Sequence, residues 1–477
     1  MVDQVSFPPS IGGSGKIYTN DANPETGMYG GAHRKNFFPI QADMVAAAGY
    51  VSQYAQAIDG AKANADRAED ARAYVEGHAG ALKSNILSFY KNKATLVSDF
   101  ANHNFQLYDG LRKNRVADAE IWNIDRSTIG TYVDATGKIR TAAIDEPRYT
   151  YDSETGESLG VLSEEGRTNI LLNTNDSSQW NLVGAISKES TEVINGIERV
   201  RLRIAAGQTG RIAFNYNGTI VGTYTASARV RVIDGWQENA LVISMAAADG
   251  GFSRYVNPPA NGDWGYIERT DTINGAGEVN IVRTAASHTA DIVLEVEAQQ
   301  MEQGLNRTSF IPTTTTAVAR LPDNISRSLG NEFSDTEGTA YIDFSLSPDS
   351  TEGVIIRISD GTSDNRIQIY KRLSDGSLSV AVRSAAQDIA FFAAGDAPDS
   401  GKIAVSYNAD GISLSVNGVS YVSSFSAPFN TIGSLTQVDI VNTSLAGAEL
   451  FTAKDFFYLP TKITVAELNA LTAGGAL

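Results

Sequence analysis

The sequence predicts a mostly β protein in which an N-terminal extended arm and an α-helical coiled-coil stalk precede antiparallel β-sandwich domains of jelly-roll type. Glycine is abundant, at 43 of 477 residues. Ser, Thr and Asn recur in short clusters, and this usage is typical of turn-rich β proteins. Apolar residues make up 42% and charged residues 19% of the chain, a composition that builds packed cores. Because single cores rarely exceed about 250–300 residues, we expect several domains.

The first segment, residues 1–42, predicts an extended docking arm. It carries prolines and glycines from Pro8 to Pro39 and keeps the period of neither a helix nor a strand. Apolar residues such as Tyr18 and Phe37 give it anchors that a solvated tail would not need. We therefore expect this arm to bind a partner.

Residues 43–111 predict a helical coiled-coil stalk, with Asp43 as a candidate N-cap. Counting in sevens from Val51 gives an apolar seam of a and d positions that is interrupted only by Arg72. The seam residues include Val51, Tyr54, Ile58, Val75, Leu82 and Ile86. The alternative is one amphipathic helix packed on its own domain. A seam made mostly of alanine offers little apolar surface to anchor such a core. Glycines at 77 and 80 predict a break, followed by a second helix from about Leu82 to Phe100.

Residues 112–174 predict a connector of two β-hairpins. The turns DATG, at 134–137, and DSETG, at 152–156, each lie between runs that read as strands. We expect Arg167 to pair with a carboxylate such as Asp152 or Glu157 and thereby lock the hairpins together.

Two sandwiches follow, at residues 175–318 and 319–477. In the first, short strands recur, including separate strands at 211–216 and 223–232. The tract 312–318 predicts a linker. In the second, Asn-Gly at 417–418 predicts a type I′ hairpin turn, and residues 463–471 predict a closing amphipathic helix.

Composition also argues against several classes of function. A net charge of −17 opposes binding to nucleic acid or anionic membrane. There is no cysteine for disulfides or thiolate metal sites, and no apolar run approaches the about 20 residues that span a bilayer. The N-terminus lacks the features of a signal peptide, so we expect synthesis in the cytoplasm. We expect no enzyme, because no catalytic or zinc motif occurs, although 55 acidic residues leave a glycosidase pair open.

Aromatic residues in the tract 251–269 are candidate sugar-binding residues. We expect Tyr255, Trp264 and Tyr266 to stack on sugar rings from a loop. The alternative is that these rings fill the sandwich core or a subunit contact, which is the reading we prefer for Trp236. Calcium is the one cofactor that the sequence leaves open, at the acidic loop 360–366, where a solvated turn is the commoner explanation.

The stretch 126–174 resembles a segment that recurs in bacteriophage virion and tail-fibre proteins. Its three parts occur in order: a Tyr-x-Asp-Ala-x-Gly hairpin at 132–137, Pro-Arg-aromatic-x-Tyr-Asp at 147–152, and Glu-x-Arg-Thr-Asn-hydrophobic-hydrophobic at 165–172. Residues 297–320 resemble the closing strand of the same family. The module between the two motifs is similar to carbohydrate-binding jelly rolls, and the region from about residue 323 is similar to concanavalin- or laminin-G-like sandwiches.

This resemblance implies a homotrimeric phage tail fibre or related receptor-binding virion protein, located in the virion tail and assembled in the host cytoplasm. Its partners would be two further copies of itself, other tail or virion proteins at the arm, and host cell-surface polysaccharide. Two alternatives remain at this point. One is a polysaccharide depolymerase tail spike, and the other is a purely architectural fibre or collar.

Overall fold

The computed structural model describes residues 3–56, 86–153, 155–245, 253–259, 262–284, 287–347, 353–442 and 450–473. The chain divides into two compact units, Met1–Ser88 and Phe89–Leu477. Each unit is described by itself. No helix in the described ranges is long and apolar enough to cross a membrane.

In the first unit, a short hairpin of strands β1 (Gln4–Ser6) and β2 (Ile17–Thr19) precedes helix α1 (His33–Gln56). The expectation of an extended arm up to residue 42 is therefore wrong, because the helix begins inside it. Asp43 is not an N-cap but lies within α1. Its carboxylate accepts hydrogen bonds from the Ser14 hydroxyl at 2.6 Å and the Tyr18 hydroxyl at 2.7 Å. These bonds hold the N-terminal segment on the helix.

Most of the predicted coiled-coil seam cannot be compared with the structure. Ile58, Val75 and Leu82 lie outside the described residues, whereas Val51 and Tyr54 belong to the end of α1. Ile86 is the first described residue of a helix, α2, which ends at residue 93. The expectation that this helix reaches residue 100 is wrong, because the chain there pairs as a strand with a distant partner. The coiled coil itself stays a prediction.

Nine strands lie between residues 96 and 169, the first two within the predicted stalk and the other seven within the connector, which contains both predicted hairpins, β7–β8 and β9–β10. The strands are β3 (Leu96–Asp99), β4 (Asn104–Tyr108), β5 (Lys113–Val116), β6 (Asn123–Asp125), β7 (Gly130–Val133), β8 (Ile139–Ala142), β9 (Tyr149–Tyr151), β10 (Ser158–Glu164) and β11 (Arg167–Asn169). Every pairing among these strands is antiparallel.

Eight strands of the next region form one antiparallel sheet. They are β12 (Asn181–Gly184), β13 (Ile186–Ile194), β14 (Ile197–Ile204), β15 (Gly210–Asp234), β16 (Leu241–Ser244), β17 (Ser253–Val256), β18 (Gly265–Thr284) and β19 (Ile292–Gln303). The beginning of β15, around Phe214, pairs with β12, and its end, around Val230, pairs with β19. Phe214 and Val230 share one apolar core, so the sheet folds over and encloses it.

Two details of this sheet correct the sequence analysis. The segments 211–216 and 223–232, predicted as separate strands, belong to the single strand β15. The tract 251–269 is not a loop throughout, because it contains β17 and the beginning of β18. The middle of β15 carries the turn-favouring residues Asn217, Gly218 and Gly222, which is why the sequence pattern divides the strand incorrectly.

The last region forms two further sheets around a second core. Its elements are β20 (Val318–Arg320), β21 (Asn324–Ser328), β22 (Glu337–Leu346), β23 (Gly353–Ser359), β24 (Arg366–Lys371), β25 (Ser377–Ser384), β26 (Gln387–Asp396), β27 (Ser400–Asn408), β28 (Gly411–Val416), β29 (Val419–Ser424), β30 (Gln437–Asn442), β31 (Leu450–Leu459) and helix α3 (Val465–Thr472). The predicted turn at Asn417 and Gly418 forms, with positive φ at both residues. The mostly β, antiparallel fold is confirmed.

Connector strands complete these two sheets. One sheet has seven strands in the order β26-β25-β24-β23-β30-β21-β6, and the other has ten and includes β3, β4, β5, β9 and β10. Strand β31 pairs with β22, β3 and β10. The domain boundaries at 111, 174 and 318 stay predictions, but sheet pairing joins segments on both sides of them.

Candidate functional site

A cavity of about 180 Å³ lies where the two connector hairpins meet the jelly-roll sheet. It is lined by Thr131, Tyr132, Val133, Ile139, Thr150, Tyr151, Asp152, Ser153, Leu159, Leu162, Glu164, Tyr266, Arg307, Ser309, Phe310 and Thr452. These residues come from both hairpins, from β18, from the segment that follows β19, and from β31. The cavity is therefore assembled from segments far apart in the sequence.

Hydrogen bonds fix hairpin β7–β8 against the jelly-roll sheet. The Nη2 of Arg229 donates to the carbonyl of Gly137 at 2.8 Å, and the side-chain amide of Asn195 donates to the carbonyl of Ile139 at 3.0 Å. Ile139 also packs in a small apolar cluster with Phe310 and two further residues. The wall of the cavity that this hairpin forms is consequently held in place from two sides.

The floor of the cavity is the buried carboxylate of Glu164. It accepts hydrogen bonds from Arg148 Nη1 at 2.5 Å and from the backbone amide and hydroxyl of Ser309, both at 2.6 Å. Burial opposes ionisation of Glu164, but the charges of Arg320 and Arg148 and the hydrogen bonds from Ser309 outweigh it and lower its pKa to about 2. Glu164 is thus a fixed negative charge.

The same ionic cluster extends to Asp323. Its carboxylate accepts from Arg126 Nη1 at 2.8 Å and from Arg148 Nη2, and it also accepts from the backbone amide of Glu164 at 2.9 Å. Arg320 adds a third buried guanidinium, 3.5 Å from Glu164. The charged residues in and next to the motifs at 126–174 and 297–320 therefore build a buried structural network at the junction of the hairpins. Local sequence spacing does not predict this network, and the positions of Arg148 and Arg320 within the two motifs are its one sequence signal.

Three partly buried tyrosines, Tyr132, Tyr151 and Tyr266, line the cavity above this floor. The guanidinium of Arg307 lies 3.6 Å from the ring centroid of Tyr266 and forms an ion pair of 3.1 Å with Glu268. A cation held over an aromatic face fixes the orientation of the ring. The upper cavity thus combines aromatic surface with hydroxyl and guanidinium donors.

The predicted sugar-binding residues are not all together. Tyr266 lines the cavity, as does Asp152. Trp264 lies instead beside a group of arginines, with its ring 4.4 Å from the guanidinium of Arg199. Tyr255, on β17, is 62% exposed and does not line the cavity. Trp236 packs against the apolar core of the jelly roll, in line with the alternative that we preferred for it.

The predicted structural pair of Asp152 and Arg167 stays a prediction. The Asp152 carboxylate accepts from the backbone amide of Thr155 at 2.7 Å and so caps its own turn. Arg167 forms an ion pair with Glu165. Both residues stabilise the ends of the second hairpin.

The acidic loop at 360–366 is largely self-contained. The Asp360 carboxylate accepts from the hydroxyl of Thr362 and the side-chain amide of Asn365, both at 2.6 Å. Within the described ranges, no three or more His, Cys, Asp or Glu side chains are placed to hold a metal ion. Calcium binding stays a prediction.

Comparison with known proteins gives structural likenesses alone. No protein-family model and no curated protein matches the chain. A carbohydrate-binding module (CBM40) of the Ruminococcus gnavus IT-sialidase, solved with α2,3-sialyllactose, is 15% identical, with a TM-score of 0.25 over 29% of this chain and 83% of the other. Domain 4 of the Geobacillus stearothermophilus arabinanase AbnA, solved with arabinotriose, is 12% identical, with a TM-score of 0.26 over 36% and 83%. A botulinum neurotoxin C/D receptor-binding domain is 13% identical, with a TM-score of 0.24 over 31% and 38%. At these values the likenesses carry no argument about function.

Proposed function

We propose that this protein is a homotrimeric receptor-binding protein of a bacteriophage virion, a tail fibre or a related component, that attaches the particle to glycans on the host surface. The observation that carries the glycan-binding part is the cavity, which gathers Tyr132, Tyr151 and Tyr266 beside Asp152 and Arg307. The phage part is supported by the motifs at 126–174 and 297–320.

The chemistry of the cavity suits a sugar. Aromatic rings pack on the apolar face of a pyranose, while carboxylate and guanidinium groups such as those of Asp152 and Arg307 bind its hydroxyls. The volume of about 180 Å³ is below the about 300–1,000 Å³ of typical small-molecule sites. It therefore fits a single sugar unit of a longer chain.

The electrostatics favour binding over hydrolysis. Glycosidases need one carboxylic acid whose pKa is raised so that it can donate a proton to the leaving group. The carboxylates that line this cavity belong to Asp152 and Glu164. The pKa of Glu164 is lowered to about 2, so it has no proton to give at neutral pH. For this reason we favour attachment over a depolymerase.

A glycan array of bacterial surface polysaccharides tests the binding site. We expect wild-type protein to bind, and Tyr266→Ala to weaken binding about tenfold or more because it removes a stacking face. Tyr255→Ala is the matched comparison, since it removes an exposed tyrosine of the same sheet that does not line the cavity. A blank array, or loss of binding in Tyr255→Ala but not in Tyr266→Ala, would contradict this site.

Immunogold labelling tests the virion assignment separately. Antibodies against the purified protein should decorate the tails of phage particles that encode it, and purified protein should compete with those particles for adsorption. Particles that carry no label would overturn the virion assignment and leave the glycan site standing.

A further inference from the structure

The outer face of the jelly-roll sheet carries a row of alternating charges. Strand β14 alternates, with Val200 and Leu202 in the core and Arg201 on the opposite face. In the strand register, Glu295 lies directly between Arg201 and Arg231. Each oxygen of the Glu295 carboxylate accepts from one guanidinium, Oε1 from Arg201 Nη2 at 2.6 Å and Oε2 from Arg231 Nε at 3.1 Å. We call Arg201, Glu295 and Arg231 the open row.

A second row, formed by Arg199, Glu297 and Arg229, lies beside it and is covered; we call it the closed row. Glu297 accepts from Arg199 Nε at 3.0 Å and from Arg229 Nη1 at 2.6 Å. The side chain of Arg229 is fully buried, and Arg229 also donates to the carbonyl of Gly137 in the hairpin above. The hairpin covers this row, which leaves the neighbouring open row as the accessible one.

The open row has unused donors. Arg201 and Arg231 engage Glu295 through Nε and Nη2, so the Nη1 group of each has no partner among the described residues. Their side chains are 40% and 32% exposed, whereas that of Glu295 is only 8% exposed. Two guanidiniums share one carboxylate, and the row therefore keeps one net positive charge on its accessible side.

Uncharged groups lie at both ends of this row. Ser190, on β13, is the register partner of Arg201 and is exposed. At the other end Trp264 precedes Gly265, the register partner of Val230, and its partly exposed ring folds back over the closed row. The ring centroid lies 4.4 Å from the guanidinium of Arg199 and 5.1 Å from those of Arg229 and Arg231. Five positions across neighbouring strands span about 19 Å at the usual strand spacing. The row is long enough to contact several consecutive sugar units.

The acids nearby do not neutralise the row. Glu189 and Asp291 are paired with Arg203, at 2.5 Å and 3.2 Å. Glu192 is exposed opposite Arg199, on the line of the closed row. An anionic group is therefore attracted to the open row even though the chain as a whole is acidic.

We propose that the open row binds a carboxylate group of an acidic polysaccharide between Arg201 and Arg231, while Trp264 packs on a neighbouring sugar ring. This inference rests on the proposed glycan-binding function and names its ligand class, a glycan that carries uronic or similar acids. Guanidinium N–H groups form charge-assisted hydrogen bonds with carboxylates. Tyr266, which lines the cavity, is the register partner of Arg229, two residues along β15 from Arg231, so one chain could reach both places.

Binding of acidic and neutral forms of one polysaccharide tests the proposal. The intact protein is titrated with polygalacturonate, polymannuronate and polysialic acid, each beside its carboxyl-reduced, neutral form. We expect at least one acidic form to bind about tenfold more tightly than its neutral form, as a charge-assisted hydrogen bond implies. Raising the salt concentration should reduce this preference.

Variants of the row assign the effect to residues. Arg231→Gln should remove about tenfold of affinity for the acidic form and leave the neutral form unchanged, whereas Arg231→Lys should retain part of the affinity. Arg211→Gln is the matched control, because Arg211 lies on the same strand as Arg231, pairs with Glu278 outside the row, and has a similarly exposed side chain, at 34%. Unchanged binding of the neutral form by Arg231→Gln also shows that the variant folds.

The outcomes separate this inference from the proposed function. Equal binding of acidic and neutral forms, with loss in Tyr266→Ala, would overturn the open row as a site and keep the glycan-binding function. An acidic preference that Arg231→Gln does not change would also overturn it. If neither form of any polysaccharide binds, both proposals fail together.

Discussion

Two buried carboxylates near the phage-type motifs have opposite electrostatics. Glu164 contacts Arg148 directly, and its pKa is lowered to about 2. Among the described residues, Glu302 accepts hydrogen bonds from neutral groups alone, the amide of Gln300 and the backbone and hydroxyl of Thr308. Burial dominates there and raises the pKa of Glu302 to about 7, despite those hydrogen bonds and the more distant charges of Arg167 and Arg320. The two pKa values differ because, in the described part of the chain, Glu164 contacts a guanidinium directly and Glu302 does not, although both carboxylates are buried.

Because the pKa of Glu302 is raised, we expect the protein to lose stability as the pH rises. The pKa of Glu302 rises from 4.5 in the unfolded chain to about 7 in the folded one, so its contribution to stability is complete below pH 4.5 and is lost as the pH rises through 7. We expect Glu302→Gln to remove this dependence, which amounts to about 3 kcal/mol. Denaturant unfolding of both proteins between pH 5 and 8 measures it, and a gap between them that does not change with pH would contradict it.

Two other groups provide internal checks on that measurement. Burial also raises the pKa of Asp455, from 3.8 to about 7, so a loss of stability of at least the same size and in the same direction should persist in Glu302→Gln. Glu164 acts with the opposite sign, because its contribution is present above pH 4.5 and is lost as the pH falls towards 2. The decrease in the free energy of unfolding at low pH should therefore be the same in the wild type and in Glu302→Gln.

At the residue scale, the sequence predicted some of the site and missed its floor. Tyr266 stood out because an aromatic side chain beside Gly and Asp suits sugar binding, and it does line the cavity. Glu164 is buried whereas its neighbour Glu165 is only partly buried, as expected where successive residues point to opposite faces. Its partners Ser309 and Arg320 lie more than a hundred residues away. Local spacing cannot reveal such pairs.

At the element scale, one glycine controls how strand β10 joins the last sandwich. Gly160 has φ of +83°, and a Cβ there would lie 2.0 Å from the carbonyl oxygen of Ala453 on β31. The β9–β10 register shifts between Ser158 and Gly160. Gly160→Ala therefore combines backbone strain with a clash against a backbone that cannot move freely. We expect it to lower the free energy of unfolding by about 3–5 kcal/mol.

Gly196→Ala is the matched control for this substitution. Gly196 has nearly the same φ, +82°, but a Cβ there would meet nothing within 4 Å. Strain alone should cost about 1–2 kcal/mol. Thermal and denaturant unfolding of both variants separate the cost of backbone strain from the cost of the clash with Ala453. Equal losses in the two variants would show that the close approach to Ala453 does not matter.

Short strands bounded by turns were predicted well, and long or unflanked strands were not. The strand at Arg366–Lys371 and the hairpin turn at Asn417 follow directly from alternation and Asn-Gly chemistry. Strand β15 was predicted as two strands, and β26 and β31 carry no regular alternation that would predict them. Strand β31 pairs on both sides, and its apolar ends around Thr452, Lys454 and Asp455 give no regular alternation that would mark a strand.

At the scale of the whole molecule, the last sandwich depends on segments that precede the jelly roll. Strand β6 extends one of its sheets next to β21, and β3 extends the other next to β31. The jelly roll, from β12 to β19, is thus inserted between two parts of one folding unit. Linear domain boundaries read from composition cannot show this arrangement, because they assume that each sandwich is continuous in sequence.

Trimer formation is the last prediction. Three copies of a shallow site on one stalk raise avidity by about 10²–10⁴ without a new contact, which is the use that an attachment protein would make of the heptads from Val51 to Phe89. Light scattering at micromolar concentration should give the mass of three chains. The double variant Ile58→Asp and Val75→Asp should give one chain and lose the avidity on polysaccharide-coated surfaces, with monovalent affinity unchanged. Asp66→Asn, at a b position of the heptad, is the control and should change neither the mass in solution nor the avidity. A wild-type protein that is monomeric at this concentration would contradict the trimer.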